Sequence, residues 1–384
     1  MARKHTLLMD GNHFLFKTLY VIPKSGGKLL DNKSDKEAFI KKLCIDFAAE
    51  IRKFSLLINR VVFTIDSSSW RKEFYPKEDY KGNRVLSDAV NWTAFYEMSE
   101  EFKTILRSKG VIIHKVNGAE GDDLVYAWSK YLNLKGENVI IVSGDKDFMQ
   151  LVDYNESTKS YTILYTNTNK RITVYPGFND WLHSMEDSTV TSIFDMKKTV
   201  YGDDATKKVF SSLIQENGLE TIVVDTDFFV FTKVLCGDRG DNVPSAYHYE
   251  KNGKTYSISE LKAKKVYDAF IEKHKKFDTL YLFEKSYRED IADMVVEKLN
   301  AHLMSHSQIL SNIEKNVMMM LLHHNSIPDE IQQQMFKTVE ELYLAYRTDI
   351  SQLHNMKDIL KDTKYALKVF TPKGFDFFGN DNDD

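Results

Sequence analysis

Residues 118–147 read GAEGDDLVYAWSKYLNLKGENVIIVSGDKD, and this stretch decides the fold of the chain. Three carboxylates open a predicted helix, and two more follow the apolar run of residues 139–142. That run has no alternation of polar and apolar residues, which is typical of a strand buried on both faces of a parallel sheet. Because open α/β sheets place their sites at the carboxyl ends of such strands, the stretch predicts an α/β fold with an acidic site at one sheet edge.

Two more apolar strands are predicted, and each of them also ends in an acid. The three strands lead to Asp10, Asp66 and Asp145. Carboxylates that gather at one edge raise each other's pKa unless cations lie between them. Oxygen ligands suit hard cations such as Mg²⁺ and Mn²⁺, so a divalent-metal site is predicted. For either half of the stretch alone, the alternative is an acidic helix terminus beside a solvated turn.

Between Asp66 and Asn91 no helical stripe separates the apolar residues from the charged ones. We interpret this segment as a mobile arm whose aromatic rings stack on bases and whose cations contact phosphates. A solvated loop with scattered aromatic residues is the alternative. The aromatic and cationic residues of the arm are Trp70, Arg71, Lys72, Phe74, Tyr75, Lys77, Tyr80, Lys81 and Arg84.

The second half of the chain is predicted to be largely helical. Two antiparallel strands at 160–165 and 171–175 come first, joined by an Asn-rich turn. Residues 237–242 read GDRGDN and interrupt the apolar pattern. A lysine-rich helix follows, and a helical pattern then extends from Phe277 to about residue 364.

Composition sets broad limits on the protein. The 384 residues suffice for two or three domains, and 52 basic against 56 acidic residues give a nearly neutral balance. This balance leaves nucleic-acid binding open, because an acidic site can mask basic surface elsewhere. Cys44 and Cys236 are the only cysteines, so a disulfide framework is not expected and a reducing cytoplasm fits. No stretch reaches the length of a membrane span.

The motifs together resemble the phage branch of the 5′-nuclease, or flap endonuclease, family, and they are most similar to its T-even phage members. The resemblance covers about residues 5–275. Asp10 and Asp66 match the aspartates of the family's first two strands, and 80–84 (YKGNR) matches its arch motif. Residues 120–123 (EGDD), 145–147 (DKD) and 237–242 (GDRGDN) match its Glu-x-Asp-Asp, paired-aspartate and Gly-Asp-x-x-Asp-Asn motifs. One departure is that Ser245 to Tyr256 lacks the family's Gly-x-Gly-x-Lys turn, which puts a monovalent-cation site in doubt.

The resemblance implies a PIN-like (resolvase-like) fold with a mostly parallel sheet, a helical arch, a helix–three-turn–helix element and a C-terminal helical region. The predicted divisions are 1–176 for the nuclease domain with its arch at 67–90, 177–275 for the DNA-binding helical domain, 276–370 for the C-terminal helices, and 371–384 for an acidic, unfolded tail. This tail carries Phe375, Phe377 and Phe378, which are candidates for docking a sliding clamp or a single-strand-binding protein.

Two Mg²⁺ ions, with Mn²⁺ as a substitute, are the cofactors that the resemblance implies. Their expected ligands are Asp10, Asp66, Glu120, Asp122, Asp123, Asp145, Asp147, Asp238 and Asp241. Lys81 and Arg84 are the expected catalytic cations at the scissile phosphate. The expected nucleic-acid contacts are Arg71, Lys72, Tyr80, Lys81, Arg84, Lys254, Lys262, Lys264 and Lys265.

The implied activity is 5′→3′ exonuclease and flap endonuclease cleavage of DNA and of RNA paired with DNA. The implied task is removal of RNA primers and flaps in phage lagging-strand replication, by a monomer in the host cytoplasm. Two rival functions are considered. A haloacid-dehalogenase-type phosphatase needs Asp-x-Asp after the first strand, where this chain has Asp10-Gly11-Asn12. A non-catalytic nucleic-acid-binding scaffold would keep the fold, yet the complete set of acids argues against it.

Overall fold

The computed structural model describes residues 5–23, 26–75, 80–184, 203–346, 348 and 350–353. Within these residues the chain forms a large mixed sheet with helices on both sides, and a second, mainly helical core. None of the helices in this part of the chain is long and apolar enough to cross a membrane. The predicted tail at 371–384, with its three phenylalanines, lies outside the described residues.

The main sheet has the strand order β3-β2-β1-β4-β6-β7-β8, with β5 paired to β6. The strands β3, β2, β1, β4 and β6 run parallel to one another, whereas β6 and β7 form the predicted antiparallel pair. This arrangement confirms the mostly parallel α/β sheet. The strands are β1 (His5–Asp10), β2 (Ile58–Thr64), β3 (Ile112–His114), β4 (Asn138–Val142), β5 (Asp153–Asn155), β6 (Ser160–Thr166), β7 (Arg171–Val174) and β8 (Glu220–Val223).

Twelve helices are found among the described residues, together with a hairpin formed by β9 (His248–Lys251) and β10 (Lys254–Ser257). Asn91 caps α4 as its position before the apolar stripe predicts, since its side chain accepts from the Ala94 amide. The helices are α1 (Gly11–Val21), α2 (Lys33–Phe54), α3 (Trp70–Phe74), α4 (Trp92–Ser108), α5 (Gly121–Leu134), α6 (Phe178–His183), α7 (Asp203–Asn217), α8 (Thr226–Cys236), α9 (Glu260–His274), α10 (Lys285–Leu299), α11 (His306–Met320) and α12 (Asp329–Ala345).

Two hydrophobic cores divide the chain differently from the predicted boundaries at 176 and 275. Beyond 176 the chain still contributes α6, α7 and β8 to the sheet core. The second core is built from α8 to α11 and ends at Leu321. The chain then returns, and α12 packs on the sheet core through Met335 and Val339. The C-terminal helices therefore belong to both cores rather than to a separate unit.

Polar contacts fix the returning helix α12 on the sheet. The buried His114 of β3 accepts from the Trp128 indole through Nδ1 at 2.9 Å, so its Nε2 carries the proton and donates to Thr338 of α12, also at 2.9 Å. Tyr343 donates to Glu137 at 2.7 Å, and the Arg60 guanidinium lies over its ring. Burial lowers the pKa of His114 to about 4, so the ring stays neutral near neutral pH.

We expect Met335→Ala to lower the free energy of unfolding by about 2–5 kcal/mol, because Met335 is fully buried where α12 meets the sheet core. Chemical denaturation measures this change. Leu344→Ala on the same helix is the matched control: Leu344 is 72% exposed, so its change should stay within about 0.5 kcal/mol. Equal effects of the two substitutions would contradict the packing of α12 on the first core.

Candidate active site

The parallel register brings the predicted acids to one edge of the sheet. Asp10 ends β1 and pairs in register with Thr64, two residues before Asp66. On the other side Met9 pairs with Val142, three residues before Asp145. Helix α5 starts at the same edge, with Glu120 as its N-cap and Asp122 in its first turn. Four separate segments thus converge on one place.

Hydrogen bonds hold the carboxylates of Asp10 and Asp66 in position. Asp10 is buried and accepts from the His13 amide at 3.0 Å and from the Ser143 hydroxyl at 2.9 Å. Asp66 accepts from the Gly121 amide at 2.7 Å. A Cβ at position 121 would lie 2.9 Å from the same Asp66 oxygen, so only glycine allows this approach. The Gly in EGDD therefore lets α5 begin against Asp66.

The electrostatics at this edge favour protonated acids. Burial, together with Asp66 and Asp145 nearby, raises the pKa of Asp10 to about 7. Burial and the neighbouring Asp10 and Asp145 raise the pKa of Asp122 well above its usual value. Burial also raises the pKa of Asp66 and of Asp147. Four of the predicted metal ligands are thus destabilised as anions and would gain from a cation beside them.

The arm brings two cations to the cluster. Lys81 contacts Glu120 at 2.5 Å and Asp241 at 4.0 Å, and its backbone adopts the left-handed conformation with φ 58°. Arg84 pairs with Asp241 and is otherwise exposed. Although burial alone would raise the pKa of Glu120, Arg71 and Lys81 hold it below its usual range. The predicted catalytic pair therefore lies at the mouth of the carboxylate cluster.

A third cation, Lys233, was missed by sequence reasoning. It lies on α8, buried, 2.6 Å from Asp147 and 3.3 Å from Asp238. Burial alone would lower its pKa, but these two carboxylates raise it. The available signal was a single lysine in the mostly apolar helix that leads into residues 237–242. Gly237, with φ 72° and the Val243 carbonyl 2.5 Å from where a Cβ would be, allows the sharp turn after that helix.

Arg71, Tyr80 and Asp123 are buried and paired with other residues of the chain. Arg71 is 3% exposed and donates two hydrogen bonds to Asp123, at 3.0 and 3.1 Å. Asp123 also accepts from the Trp70 indole and is fully buried, so its oxygens face these donors. Tyr80 is 6% exposed and donates to Glu120 and Asp241. Trp70, at 1% exposed, and Tyr80 are thus not stacking platforms.

Of the other predicted nucleic-acid residues, Lys81 is 16% exposed, and the rest are exposed. Lys72 and Phe74 lie on the outer side of α3, and Phe74 is 61% exposed. Lys254 lies on the hairpin, where Tyr249 and Tyr256 stack with ring centres 5.0 Å apart. The remaining lysines are exposed on the first turns of α9, a helix that packs in the second core and is not part of the arm. They are Lys262, Lys264 and Lys265.

One cavity is lined by acids from three separate segments of the chain. Its walls include Glu120 and Asp122 from α5, Asp147, and the loop acids Asp238 and Asp241. In the part of the chain that the structure describes, no three acidic, histidine or cysteine side chains stand ready to hold a metal ion. Lys81 pairs with Glu120, Arg84 with Asp241, and Lys233 with Asp147 and Asp238. The donor set, oxygens from buried acids with raised pKa values, nevertheless fits a hard divalent cation.

Comparison with known proteins bears on the first part of the chain. Residues 5–179 match the family model for the 5′-3′ exonuclease N-terminal resolvase-like domain. The 5′-3′ exonuclease of Buchnera aphidicola subsp. Acyrthosiphon pisum is 28% identical over 151 residues, 39% of this chain and 49% of that protein. DNA polymerase I of Mycobacterium leprae is 25% identical over 160 residues, 41% of this chain and 16% of that protein. The chain thus spans at most half the length of these two relatives.

A solved structure is similar over most of the chain. The bacteriophage T5 flap endonuclease, in a complex with DNA and metal ions, has a TM-score of 0.50 and 15% sequence identity, and the match covers 88% of this chain and 99% of that chain. At this identity the likeness concerns the fold alone. Residues 5–179, less than half of the chain, together with the acids at the strand ends, are thus similar to the N-terminal resolvase-like domain of 5′-3′ exonucleases.

Proposed function

We propose that this protein is a divalent-metal-dependent 5′→3′ exonuclease and flap endonuclease that hydrolyses phosphodiesters of DNA and of RNA paired with DNA. The observation that carries the proposal is the convergence of Asp10, Asp66, Glu120 and Asp122, from separate segments, on one site that Lys81 reaches. The similarity of residues 5–179 to the 5′-3′ exonuclease family model supports the same reaction class. We further propose Mg²⁺ as the ion, with Mn²⁺ able to replace it.

Two groups of acids would hold the ions. Asp10, Asp66, Glu120 and Asp122 form the first group, and Asp145, Asp147, Asp238 and Asp241 form the second. When bound, divalent ions supply a hydroxide nucleophile at neutral pH and stabilise the leaving 3′ oxygen. Asp123 is left out of both groups because Arg71 and Trp70 occupy its oxygens.

The cations of the chain have a separate task. Lys81 and Arg84 pair with Glu120 and Asp241, and a phosphate arriving at the cluster offers both of them a new anionic partner. Their positive charge would then oppose the negative charge that develops on the phosphate in the transition state. Lys233, which pairs with Asp147, would act on the phosphate in the same way. This arrangement explains why the arm must approach the acids closely.

The biological role that we propose is removal of RNA primers and flaps during phage lagging-strand replication, by an enzyme akin to the T-even phage members of the family. The protein would act as a monomer in the host cytoplasm. Its substrates would be duplexes with free 5′ ends or 5′ flaps. Lys254 and the α9 lysines would bind the phosphates of the duplex. A sliding clamp or a single-strand-binding protein would be its replication partner.

Cleavage of a 5′-labelled flap substrate tests the proposed activity directly. We expect Mg²⁺-dependent cleavage that EDTA abolishes. Asp122→Asn should lower turnover by about 100-fold or more, because it removes an oxygen ligand from the site, while duplex binding persists. Asp180→Asn, a matched change at an exposed acid on α6, should leave turnover unchanged. Full activity of Asp122→Asn would refute the role of Asp122 as a metal ligand, whereas wild-type binding without cleavage would favour a non-catalytic scaffold.

Lys81 and Lys72 share the arm and should behave differently. Lys81→Ala should lower kcat by about 10²–10³-fold with little loss of affinity, because the ammonium lies at the carboxylate cluster. Lys72→Ala removes an exposed cation, so it should weaken binding and its salt dependence while kcat is kept. Single-turnover cleavage and equilibrium binding separate these effects. Equal losses in affinity for both variants, with kcat unchanged, would refute the catalytic assignment of Lys81.

The raised pKa of Asp10 predicts a pH effect on stability without metal. Below about pH 4 the carboxyl is protonated in both the native and the unfolded states. As the pH rises towards about 7, the unfolded chain ionises at this position while the native protein does not, so the contribution of Asp10 to stability falls. In EDTA, Asp10→Asn should therefore gain stability relative to wild type across this window.

Divalent metal should reverse this loss, since it binds the ionised acids of the native state. Millimolar Mg²⁺ should raise the Tm of the wild-type protein more at pH 7.5 than at pH 5. The Asp10→Asn variant should show a smaller rise. A Tm that ignores Mg²⁺ at both pH values would count against the metal site.

A further inference from the structure

The last two residues of α11 and the two residues after it, 319–322, form a wall of the cavity that Glu120, Asp122 and Asp147 line. Met319, Met320 and Leu322 line the same cavity as the acids of α5, the residues after β4 and the loop at 237–242. We call residues 319–322 the back wall. It belongs to neither the sheet nor the arm, so its position here depends on the packing of the C-terminal helices.

The arm holds the back wall from one side. Arg71 donates from Nε to the Met319 carbonyl at 2.7 Å, and from Nη1 to Glu120 at 3.0 Å. The same guanidinium donates two hydrogen bonds to Asp123. A single buried side chain thus links a backbone carbonyl of the back wall to the N-terminus of α5, where Glu120 and Asp122 lie.

Gln150 holds the back wall from the other side. It lies in the 3₁₀ helix Lys146–Leu151, which carries Asp147 and begins after Asp145. Its carbonyl oxygen accepts from the Leu322 amide at 2.7 Å, and its amide group donates to the Met320 carbonyl at 3.4 Å. Both polar groups of the glutamine side chain therefore form hydrogen bonds with the back wall. The acids after β4 and those of α5 are tied to the same four residues.

The loop that carries Asp238 and Asp241 is also linked to the end of α11. Asn316 of α11 donates to the Val234 carbonyl of α8 and to the Pro244 carbonyl, at 2.9 and 3.0 Å. These carbonyls flank the turn that carries Asp238 and Asp241. Met319 and Met320 also pack against Tyr80 and Val243. The end of α11 and the back wall are thus linked to all three acidic segments, through Arg71, Gln150 and Asn316.

We propose that the back wall is a brace that sets the spacing of the metal-binding acids, with Gln150 and Arg71 as positioning residues. This inference rests on the proposed function, because it concerns the metal ligands of that site. Neither residue needs to touch metal or substrate. Partners that orient ligands from behind typically change metal affinity or activity by about 10–100-fold when they are removed.

Gln150→Met tests the brace, since methionine keeps the size of the side chain and loses both hydrogen bonds. We expect the Kd for Mn²⁺, measured by electron paramagnetic resonance without substrate, to rise about 10-fold. The Mg²⁺ concentration for half-maximal cleavage should rise by a similar factor, while KM for the flap substrate stays unchanged. Gln333→Met, at an exposed position of α12, is the matched control and should match wild type in all three quantities.

The result that would overturn the brace is wild-type Mn²⁺ affinity in a folded Gln150→Met protein, whatever its cleavage rate. A lower Tm with unchanged metal dependence would also overturn it, because Gln150 would then serve stability alone. If Gln150→Met does not fold, Arg71→Lys gives the same test from the arm side, since lysine keeps the charge but cannot bridge Met319, Glu120 and Asp123 together. A shifted Mn²⁺ affinity in a protein that cleaves nothing would uphold the brace and refute the proposed nuclease instead.

Discussion

The repulsion among buried carboxylates is the constraint on which the rest of this structure depends. Asp10, Asp66, Asp122 and Asp147 all have raised pKa values, first because they are buried and second because other acids lie near each of them. Such a cluster persists in a folded protein only when cations or protons offset the charge. The chain supplies cations from the arm and from α8, each on a different segment. The meeting of these segments around the acids is therefore an electrostatic requirement as well as a result of the topology.

Much of the sheet edge could be predicted from the sequence, because strand pattern alone determines where a strand ends. Apolar runs that stop at Asp10, Asp66 and Asp145 give the acids of a parallel sheet without knowledge of its neighbours. Asp123 shows the limit of this reasoning. It directly follows Asp122, but one residue along a helix turns the side chain by about 100°, and Asp123 faces Arg71 and Trp70 instead of the cavity.

The arm could not be predicted in the same way. Its aromatic and cationic residues show no periodicity, so their burial depends on partners far away in the sequence. Arg71 bonds to Met319, 248 residues later, and Tyr80 bonds to Asp241. The returning helix α12 is a similar case, since its apolar stripe indicates one buried face and says nothing of which core covers it. Lys233 was missed because its role depends on Asp147, 86 residues earlier.

We propose that separate segments form one divalent-cation site and that a bound ion displaces Lys81 from Glu120. A crystal structure of the protein soaked in Mn²⁺, with anomalous scattering to locate the metal, is the decisive measurement. We expect manganese beside Asp10 and Asp122, and a Lys81 ammonium moved away from Glu120. Crystals without manganese at this edge, and with Lys81 still paired to Glu120, would contradict it.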